Sequence, residues 1–388
     1  MKKDNILFTS KRPDVVMTRG KGMYLYDSDG NKYLDFVAGW AVNSLGHSPD
    51  IIRRALTKQA KELVNCSPGY WNRPMLDFAE YLTSISCFDR VFFINSGAEA
   101  NEGAIKLARK FGEKFRDNAY EIITTVNAFH GRTLATMSAT GKALWKDIYE
   151  PKVQGFVHLP LNDIDAVRKS ITSKTCAVML ELVQGEGGVN TADKDYVMAL
   201  RKLCDENNIM LIFDEVQTGI GRCGAMFAYE IYGVEPDIMT LAKGIGGGFP
   251  LSAMLTKEKF NIFEPGDQGG TYSSQPLAMS VGLAVVKEVY EKKLYNNSRL
   301  QGEYIKKKLS EISGKYKLSN IRGMGLLIAF DLSQDKGKEL VSICMKNKLL
   351  VNSPKVNAIR LMPALNVSKK DIDLMIERLK KSLDEACL

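Results

Sequence analysis

The chain of 388 residues has little of what a metal centre or a disulfide framework requires. It contains only three histidines, none of them in an H-E-x-x-H pattern, and its seven cysteines form no C-x-x-C pair. The sequence therefore favours neither a zinc site nor disulfide bonds. We expect free thiols in a reducing compartment and no metal ion.

Long apolar runs are also missing. No stretch approaches the roughly 20 apolar residues of a membrane-spanning helix, and the first residues, Met-Lys-Lys-Asp-Asn, lack the apolar core of a signal peptide. The net charge of +8 comes from scattered lysines and not from one basic stripe. We therefore expect a cytoplasmic protein without membrane or nucleic-acid partners.

The distribution of apolar residues predicts an α/β protein. Short apolar runs, typical of strands, alternate with amphipathic stretches of helical period. Six such runs are Val91–Asn95, Glu121–Val126, Gly155–Leu159, Cys176–Val183, Ile209–Phe213 and Asp237–Leu241. Two short strands, Leu349–Val351 and Ala358–Met362, give the C-terminal part a βαβ-like character, and a hairpin precedes the central part at Gly22–Phe36.

The length predicts one large domain and one smaller domain. We place the large domain at residues 49–290 and the small domain at residues 291–388. The N-terminal segment 1–48 is expected to join the small domain, because both contain short sheet-forming stretches outside the central sheet.

Two strand ends contain the residues around which the chain is organised. Ile209–Phe213 is apolar throughout and ends at Asp214, and the run Asp237–Leu241 is followed by Lys243 and a series of glycines. Ligands bind at the carboxyl ends of strands in open α/β sheets, so we expect this acid and this amine to meet a ligand. A lysine that condenses with an aldehyde and a carboxylate that keeps a pyridine nitrogen protonated are what pyridoxal 5'-phosphate requires. A capping aspartate and a solvated lysine are the alternative interpretation.

A phosphate site is predicted where a strand turns into a helix. Ser96 and Gly97 follow the strand Val91–Asn95 and precede a helix that runs to about Phe115. Such a turn presents free backbone N–H groups at the positive end of the helix dipole. A serine N-cap with Glu99 in the first turn explains the same residues without a ligand.

Three further residues at strand ends are candidates for ligand contacts. Phe129 and Arg132 follow the strand Glu121–Val126, and they are suited to stack on a flat ring and to hold a carboxylate. A structural salt bridge is the common alternative for such an arginine. Glu181 is predicted inside the apolar strand Cys176–Val183, where a buried carboxylate either has a basic partner or belongs to the site.

A competing motif lies just after Asp214. Gly219–Gly224 matches the G-x-G-x-x-G pattern of dinucleotide-binding proteins. That pattern normally follows a strand directly and opens a helix, whereas here several residues intervene and no helix start is evident. A nicotinamide or flavin dehydrogenase is therefore the less favoured hypothesis.

Six motifs are spread over the chain, namely Asn95-Ser-Gly-Ala-Glu-Ala-Asn-Glu102, Phe129-His-Gly-Arg132, Glu181-Leu-Val-Gln-Gly-Glu-Gly-Gly188, Asp214-Glu-Val-Gln-Thr-Gly219, Leu241-Ala-Lys-Gly-Ile-Gly-Gly-Gly248 and Asn357-Ala-Ile-Arg360. Together they resemble a known family, the class III, pyridoxal-phosphate-dependent aminotransferases. The likeness covers almost the whole chain in the family's order, and within the class it is nearest to the acetylornithine aminotransferases. The loop Ser67–Trp71 departs from the Ser-Asn pair of many acetylornithine enzymes, so the choice of acyl group stays open.

The resemblance implies a fold, an assembly and a set of cofactor contacts. The fold would be the fold type I of pyridoxal-phosphate-dependent transferases, with a mostly parallel seven-stranded sheet in the large domain and a smaller α+β domain from both termini. The enzyme would be a homodimer with its site at the interface. Lys243 would be the Schiff-base lysine and proton shuttle, and Asp214 would contact the pyridine nitrogen. The remaining implied contacts are Gln217 to the ring hydroxyl, Phe129 and Val216 to the two ring faces, Ser96, Gly97 and Ala98 to the phosphate, and Thr271 to the phosphate from the neighbouring subunit.

The resemblance also implies the reaction, a transfer of the side-chain amino group of N-acetylornithine to 2-oxoglutarate in arginine biosynthesis. Succinylornithine, ornithine, 4-aminobutyrate and lysine derivatives are the alternative donors, and an aminomutase of the same fold is a more distant alternative. We expect Arg132 to bind the distal carboxylate of either substrate and Arg360 to bind the α-carboxylate of glutamate. Glu181 is predicted to neutralise Arg360 when that carboxylate is absent.

Overall fold

The structure is a computed structural model that describes residues 5–7 and 9–388. Its strands are β1 (Met17–Lys21), β2 (Tyr24–Asp27), β3 (Lys32–Asp35), β4 (Arg90–Ile94), β5 (Glu121–Thr125), β6 (Phe156–Leu159), β7 (Thr175–Leu180), β8 (Val183–Gln184), β9 (Asn190–Thr191), β10 (Met210–Asp214), β11 (Ile238–Leu241), β12 (Ser252–Thr256), β13 (Ser319–Met324), β14 (Leu327–Asp331), β15 (Leu349–Leu350), β16 (Asn352–Lys355) and β17 (Ala358–Leu361). Its helices are α1 (Ala38–Ala41), α2 (Asp50–Glu62), α3 (Arg73–Ser84), α4 (Gly97–Phe115), α5 (Leu134–Ala139), α6 (Ile164–Ser170), α7 (Lys194–Glu206), α8 (Tyr229–Tyr232), α9 (Pro276–Glu291), α10 (Leu294–Tyr316), α11 (Gly337–Lys346) and α12 (Lys369–Glu385).

A seven-stranded sheet forms the centre of the molecule, in the order β4-β12-β11-β10-β7-β5-β6. All its pairs are parallel except those of β12, which runs antiparallel to both β11 and β4. The segment between β11 and β12 contains no crossover helix, and a parallel connection would require one. The predicted α/β fold with a mostly parallel seven-stranded sheet is confirmed.

The strand β10 is buried on both faces, as its apolar sequence predicts. Met210 and Ile212 belong to one buried cluster, which also contains Leu107 of α4. Leu211 and Phe213 belong to the other cluster, with residues of α7. Successive side chains of a strand point to opposite faces, so the two helices cover the sheet from both sides. This packing fixes the position at which β10 ends.

The two chain termini meet in a small sheet. The hairpin β2–β3 forms at the predicted place, and the Asp27 carboxylate accepts hydrogen bonds from the backbone N–H groups of Asp29 (3.0 Å) and Asn31 (2.8 Å) in its turn. β15 pairs in parallel with β3, with Leu349 opposite Leu34. The N-terminal hairpin therefore contacts the C-terminal part. The domain boundaries after residues 48 and 290 stay a prediction.

The predicted βαβ-like character of the C-terminal part is wrong. Its sheet has the order β13-β14-β17-β16 and is antiparallel throughout. β15 belongs to the N-terminal sheet. The strands β16 and β17 form a hairpin, and β17 runs antiparallel to β14. The sequence also missed β13 and β16, because β13 is polar and partly exposed and β16 contains Pro354.

Two further expectations are decided by the fold. Gly219–Gly224 lies in a series of turns, and the next helix, α8, begins only at Tyr229, so the dinucleotide-binding interpretation is wrong. Within residues 5–7 and 9–388, no helix combines the length and the apolar character needed to cross a bilayer.

Candidate active site

A cavity of about 570 Å³ opens where β4, β5, β7, β10 and β11 end. Ten of the twelve predicted site residues line it, namely Ser96, Gly97, Ala98, Phe129, Arg132, Glu181, Asp214, Val216, Gln217 and Lys243. These residues come from five separate segments of the chain. The fold therefore brings them together at the carboxyl ends of the strands, where ligands bind in open α/β sheets.

Asp214 is buried and held by three hydrogen bonds. Its Oδ2 accepts from Asn101 Nδ2 and from His130 Nδ1, each at 2.8 Å, and its Oδ1 accepts from the backbone N–H of Val216 at 3.0 Å. Because a carboxylate only accepts, His130 donates from Nδ1. The sequence analysis gave no role to Asn101 or His130, although both lie inside the quoted motifs. The sequence marks these two residues only by their polar side chains, which lie in segments that become buried in the fold.

Lys243 stands just past the end of β11 in a backbone conformation that is uncommon for a residue with a side chain. Its φ of 46° lies in the left-handed region. Burial lowers the pKa of its amine, and the carboxylate of Glu186 opposes this effect. Among the described residues, its amine has no hydrogen-bond or ion-pair partner. A lowered pKa favours the uncharged amine, which is the form in which lysine acts as a nucleophile.

The predicted phosphate site is the first turn of α4. Ser96 is the N-cap, and its Oγ accepts from the backbone N–H of Glu99 at 3.3 Å, so the capping interpretation is confirmed. The same turn lines the cavity, and a capped helix still presents its other free N–H groups. A Cβ on Gly97 would lie 2.9 Å from Val216 Cγ1, so only glycine allows this close approach.

Aromatic and polar groups line the remaining walls. The ring of Phe129 packs edge-on against Trp145, with a centroid separation of 5.7 Å. The guanidinium of Arg132 lies 4.4 Å from the Trp145 ring centroid, and it has no carboxylate partner in the described part of the chain. Gln217 Nε2 is buried without a hydrogen-bond partner among the described residues. A free cation and an unpaired donor therefore face the same cavity.

The predicted pair of Glu181 and Arg360 is wrong. Strand β7 ends at Leu180, so Glu181 lies just past the strand, where it accepts from the backbone N–H groups of Phe129 (2.8 Å) and Gly185 (3.3 Å). Arg360 Nη2 instead pairs with Glu186 Oε1 at 2.7 Å. Glu186 lies in the turn between β8 and β9, and this turn places its carboxylate beside the guanidinium of Arg360. The sequence motif contained both glutamates and gave no means to choose between them.

The two glutamates differ in their electrostatics. Burial and the charge of Asp214 raise the pKa of Glu181, which has no cationic hydrogen-bond partner in the part of the chain that the structure describes. Arg360, Lys243 and Lys142 together hold the pKa of Glu186 below its ordinary value, against the effect of burial. Glu186 is therefore the carboxylate that remains charged beside Arg360.

Two predicted site residues do not line the cavity. Arg360 is fully buried on β17 and lies just behind the wall, with its Nη1 3.5 Å from Gln217 Oε1. Thr271 is exposed in the loop before α9, away from the cavity of its own chain. Its predicted contact from a neighbouring subunit stays a prediction.

Comparison with known proteins assigns the family. The model of the class-III aminotransferases matches residues 8–383. The chain is a class-III aminotransferase. It is 50% identical over 386 residues to acetylornithine aminotransferase from Ralstonia nicotianae, which covers 98% of this chain and 97% of that protein.

Solved structures of class-III relatives have the same fold. Ornithine aminotransferase from Toxoplasma gondii superposes with a TM-score of 0.95 at 28% identity, over 99% of this chain and 93% of that one. Acetylornithine aminotransferase from Elizabethkingia anophelis superposes with a TM-score of 0.88 at 30% identity, over 99% and 97% of the two chains. As a class-III aminotransferase, this protein is a transferase whose cofactor is pyridoxal 5'-phosphate. Among the described residues, the Lys243 amine and Gln217 Nε2 have no hydrogen-bond partner, and together with the N–H groups at the start of α4 they suit the aldehyde, hydroxyl and phosphate of this cofactor.

Proposed function

We propose that this enzyme transfers the side-chain amino group of N-acetylornithine to 2-oxoglutarate. The products are N-acetylglutamate semialdehyde and glutamate, and the reaction serves arginine biosynthesis. The observation that carries the proposal is that two arginines near Lys243 differ in their ion pairing. Arg132 has no carboxylate partner in the described chain, whereas Arg360 is paired with Glu186. The relatives named above as acetylornithine aminotransferases support the choice of donor.

The positions of the side chains in the cavity support the proposed cofactor contacts. The cofactor supplies an aldehyde for the amine of the substrate and a ring that withdraws electrons from the reacting carbon. Asp214, fixed by Asn101 and His130, keeps the ring nitrogen protonated. Lys243 holds the cofactor and moves a proton at the reacting carbon.

Other residues of the cavity fix the orientation of the cofactor. Phe129 and Val216 would hold the ring between them, and the Gln217 amide would donate to its hydroxyl. The backbone at Ser96, Gly97 and Ala98 holds the phosphate at the start of α4. Thr271 of a second subunit completes the phosphate site.

The arginines explain how one cavity accepts two different substrates. N-acetylornithine presents a side-chain amine, so its carboxylate lies far from the reacting carbon, where Arg132 is free to bind it. Glutamate presents an α-amine with a second carboxylate beside it, and Arg360 binds that carboxylate. When N-acetylornithine is bound, Arg360 has no substrate partner. Glu186 then neutralises it, because an unpaired buried guanidinium is strongly unfavourable.

A panel of amino donors tests the proposed substrate. N-acetylornithine, N-succinylornithine, ornithine, 4-aminobutyrate and a lysine derivative are each supplied with 2-oxoglutarate, and glutamate formation is measured. The proposal expects the highest kcat/KM for N-acetylornithine. Ornithine is the second candidate because of the TM-score of 0.95 to an ornithine aminotransferase. A higher kcat/KM for ornithine would reject the proposed donor and keep the reaction class.

The proposal includes an assembly, a compartment and a division into domains. The enzyme is a homodimer, and the position of Thr271 outside its own cavity supports a site shared between subunits. It works in the cytoplasm, which fits seven cysteines without disulfide bonds. Residues 49–290 form the large domain, and residues 1–48 join residues 291–388 in the small one.

A further inference from the structure

The buried side chain of Arg360 is held on two sides by neutral oxygen atoms. Asn352 Oδ1 accepts from Nε at 3.0 Å and from Nη2 at 2.7 Å. The backbone carbonyl of Gly185 accepts from Nη1 at 2.6 Å. Asn352 lies on β16 directly opposite Arg360 on β17, so the pairing of the two strands sets the contact.

The guanidinium of Arg360 has five N–H groups, and the ones that are not yet bound are those that a carboxylate can use. Asn352 occupies the edge formed by Nε and Nη2, and Gly185 takes one N–H of Nη1. One N–H of Nη2 and one of Nη1 remain. Glu186 takes the first at 2.7 Å, and the second has only the contact of 3.5 Å with Gln217 Oε1. A carboxylate can therefore bind Arg360 only through these two remaining N–H groups, one on Nη1 and one on Nη2.

We propose that Asn352 is a positioning residue that leaves Arg360 a single carboxylate-binding edge, so that Glu186 and the α-carboxylate of glutamate exclude each other. This inference rests on the proposed function, in which Arg360 alternates between these two partners. If both edges were free, a substrate carboxylate would bind the Nε edge while Glu186 stayed in place. The guanidinium would then carry two carboxylates, and its selectivity between substrates would be lost.

The neutral amide of Asn352 is essential to this role. An aspartate at position 352 would form the same two hydrogen bonds, but its charge would neutralise Arg360 permanently. A charge-assisted hydrogen bond is stronger than a neutral one. The pair of this aspartate with Arg360 would therefore persist while Glu186 and the substrate carboxylate exchange. Asparagine orients the guanidinium and leaves its charge for the carboxylate that binds next.

The test uses Asn352→Asp in the holoenzyme, with the inert dicarboxylate glutarate as the binding probe. Calorimetry should show glutarate binding weakened by about tenfold or more, since hydrogen bonds to charged groups contribute about 1.5–3 kcal/mol. The half-reaction with glutamate, followed by cofactor absorbance, should slow by a similar factor. The half-reaction with N-acetylornithine should change little, because it requires Arg360 to be neutral.

A double variant separates positioning from folding. Glu186→Gln alone should tighten glutarate binding and slow the half-reaction with N-acetylornithine, because Arg360 then lacks a counter-charge. Adding Asn352→Asp should restore the half-reaction with N-acetylornithine, since the new carboxylate replaces the lost one. A residue that only maintained the fold would not restore activity in this way.

Asn357→Asp is the matched control, because it makes the same change on the same hairpin away from the guanidinium. It should leave both half-reactions and glutarate binding unchanged. Equal losses in both half-reactions of Asn352→Asp, or unaltered glutarate binding, would overturn the inference. Failure of the wild-type enzyme to use N-acetylornithine would reject the proposed donor instead, and the glutarate measurement would still decide the role of Asn352.

Discussion

Lys243 is the residue on which the proposed chemistry depends most directly. We expect Lys243→Ala to abolish turnover while the protein still folds and binds the cofactor, because Ser96, Asp214 and Gln217 remain. Loss of acid–base catalysis alone lowers the rate by about 10²–10⁴-fold, and the loss of covalent attachment adds to this. Steady-state kinetics and the thermal unfolding midpoint measure the two effects. Lys338→Ala, an exposed lysine, is the control, and near-normal activity of Lys243→Ala would refute the assignment.

Asp214 should govern both the binding and the electronic state of the cofactor. In Asp214→Ala the ring nitrogen loses its counter-charge, so we expect poor turnover and release of the cofactor during dialysis. Asp214→Glu should retain more activity than Asp214→Ala, because it keeps a carboxylate near Asn101 and His130. The absorbance of the cofactor before and after dialysis measures retention. An alanine variant with an unchanged spectrum and rate would reduce Asp214 to a structural role.

Arg132 and Arg360 should affect the two half-reactions differently. Arg360→Ala should slow the glutamate half-reaction by about 10- to 100-fold and affect the N-acetylornithine half-reaction much less. Arg132→Ala should slow both, because both substrates present a distal carboxylate to it. Single-turnover measurements of cofactor absorbance follow each half-reaction separately. Equal losses in both half-reactions for Arg360→Ala would contradict this division between the arginines.

At the residue scale, the sequence predicted which residue types meet but not which atoms pair. Asp214 and Lys243 were predictable because strand ends in an α/β sheet share one edge. The partner of Arg360 was not, since Glu181 and Glu186 lie five positions apart in one motif. Only the turn after β7 and the pairing of β8 with β9 place Glu186 on the guanidinium. Such choices depend on contacts between distant parts of the chain.

At the scale of single elements, alanine substitutions at two glycines in long helices should change the stability of the protein in opposite directions. A Cβ on Gly112 of α4 would lie 1.8 Å from the carbonyl oxygen of Ala119, whereas one on Gly314 of α10 meets nothing within 4 Å. Gly112→Ala should therefore destabilise the protein by about 1–3 kcal/mol or more. Gly314→Ala should stabilise it by up to about 1 kcal/mol, because alanine favours the helix. Thermal unfolding midpoints should move in opposite directions, and a lower midpoint for Gly314→Ala would contradict the prediction.

Strands of the central sheet were more predictable than those at the surface. Five of the six predicted central strands end within one residue of the observed bounds. Two of these five, β10 and β11, are buried along their whole length, as their apolar sequences predict. The prediction for β7 ran past Leu180, since the apolar residues continue through Leu182 and Val183 beyond the turn. β13 and β16 have no apolar alternation, and their pairing with β14 and β17 is what makes them strands.

At the scale of the whole molecule, the exposed aromatic residues require an explanation. Tyr70 and Trp71 are 72% and 81% exposed, and Tyr272, next to Thr271, is 61% exposed. The two segments are neighbours, since Asn72 Nδ2 donates to the backbone carbonyl of Ser274 at 3.0 Å. Large exposed aromatic side chains that cluster are typical of surfaces that another protein covers. This surface is where we expect the second subunit to bind and to receive Thr271.

Mixed dimers test the shared site directly. Lys243→Ala inactivates the site of its own chain, and Thr271→Asp places a repelling charge at the phosphate of the partner's site. In a mixed dimer, the chain with intact Lys243 receives intact Thr271 from its partner, so one of the two sites is complete. Random exchange at equal concentrations should restore about a quarter of the wild-type activity, because half the dimers are mixed and each has one active site.

The control for the exchange places both substitutions in one chain. Mixing Lys243→Ala with the double variant Lys243→Ala/Thr271→Asp should restore nothing, since no chain then supplies the lysine. An affinity tag on one variant shows whether the untagged variant is retained with it, so that a lack of exchange is recognised, and sedimentation at the assay concentration gives the oligomeric state. Mixed dimers that form without recovering activity would show that Thr271 does not act across the interface. A fully active monomer would reject the shared site itself, because each site would then be complete without a second subunit.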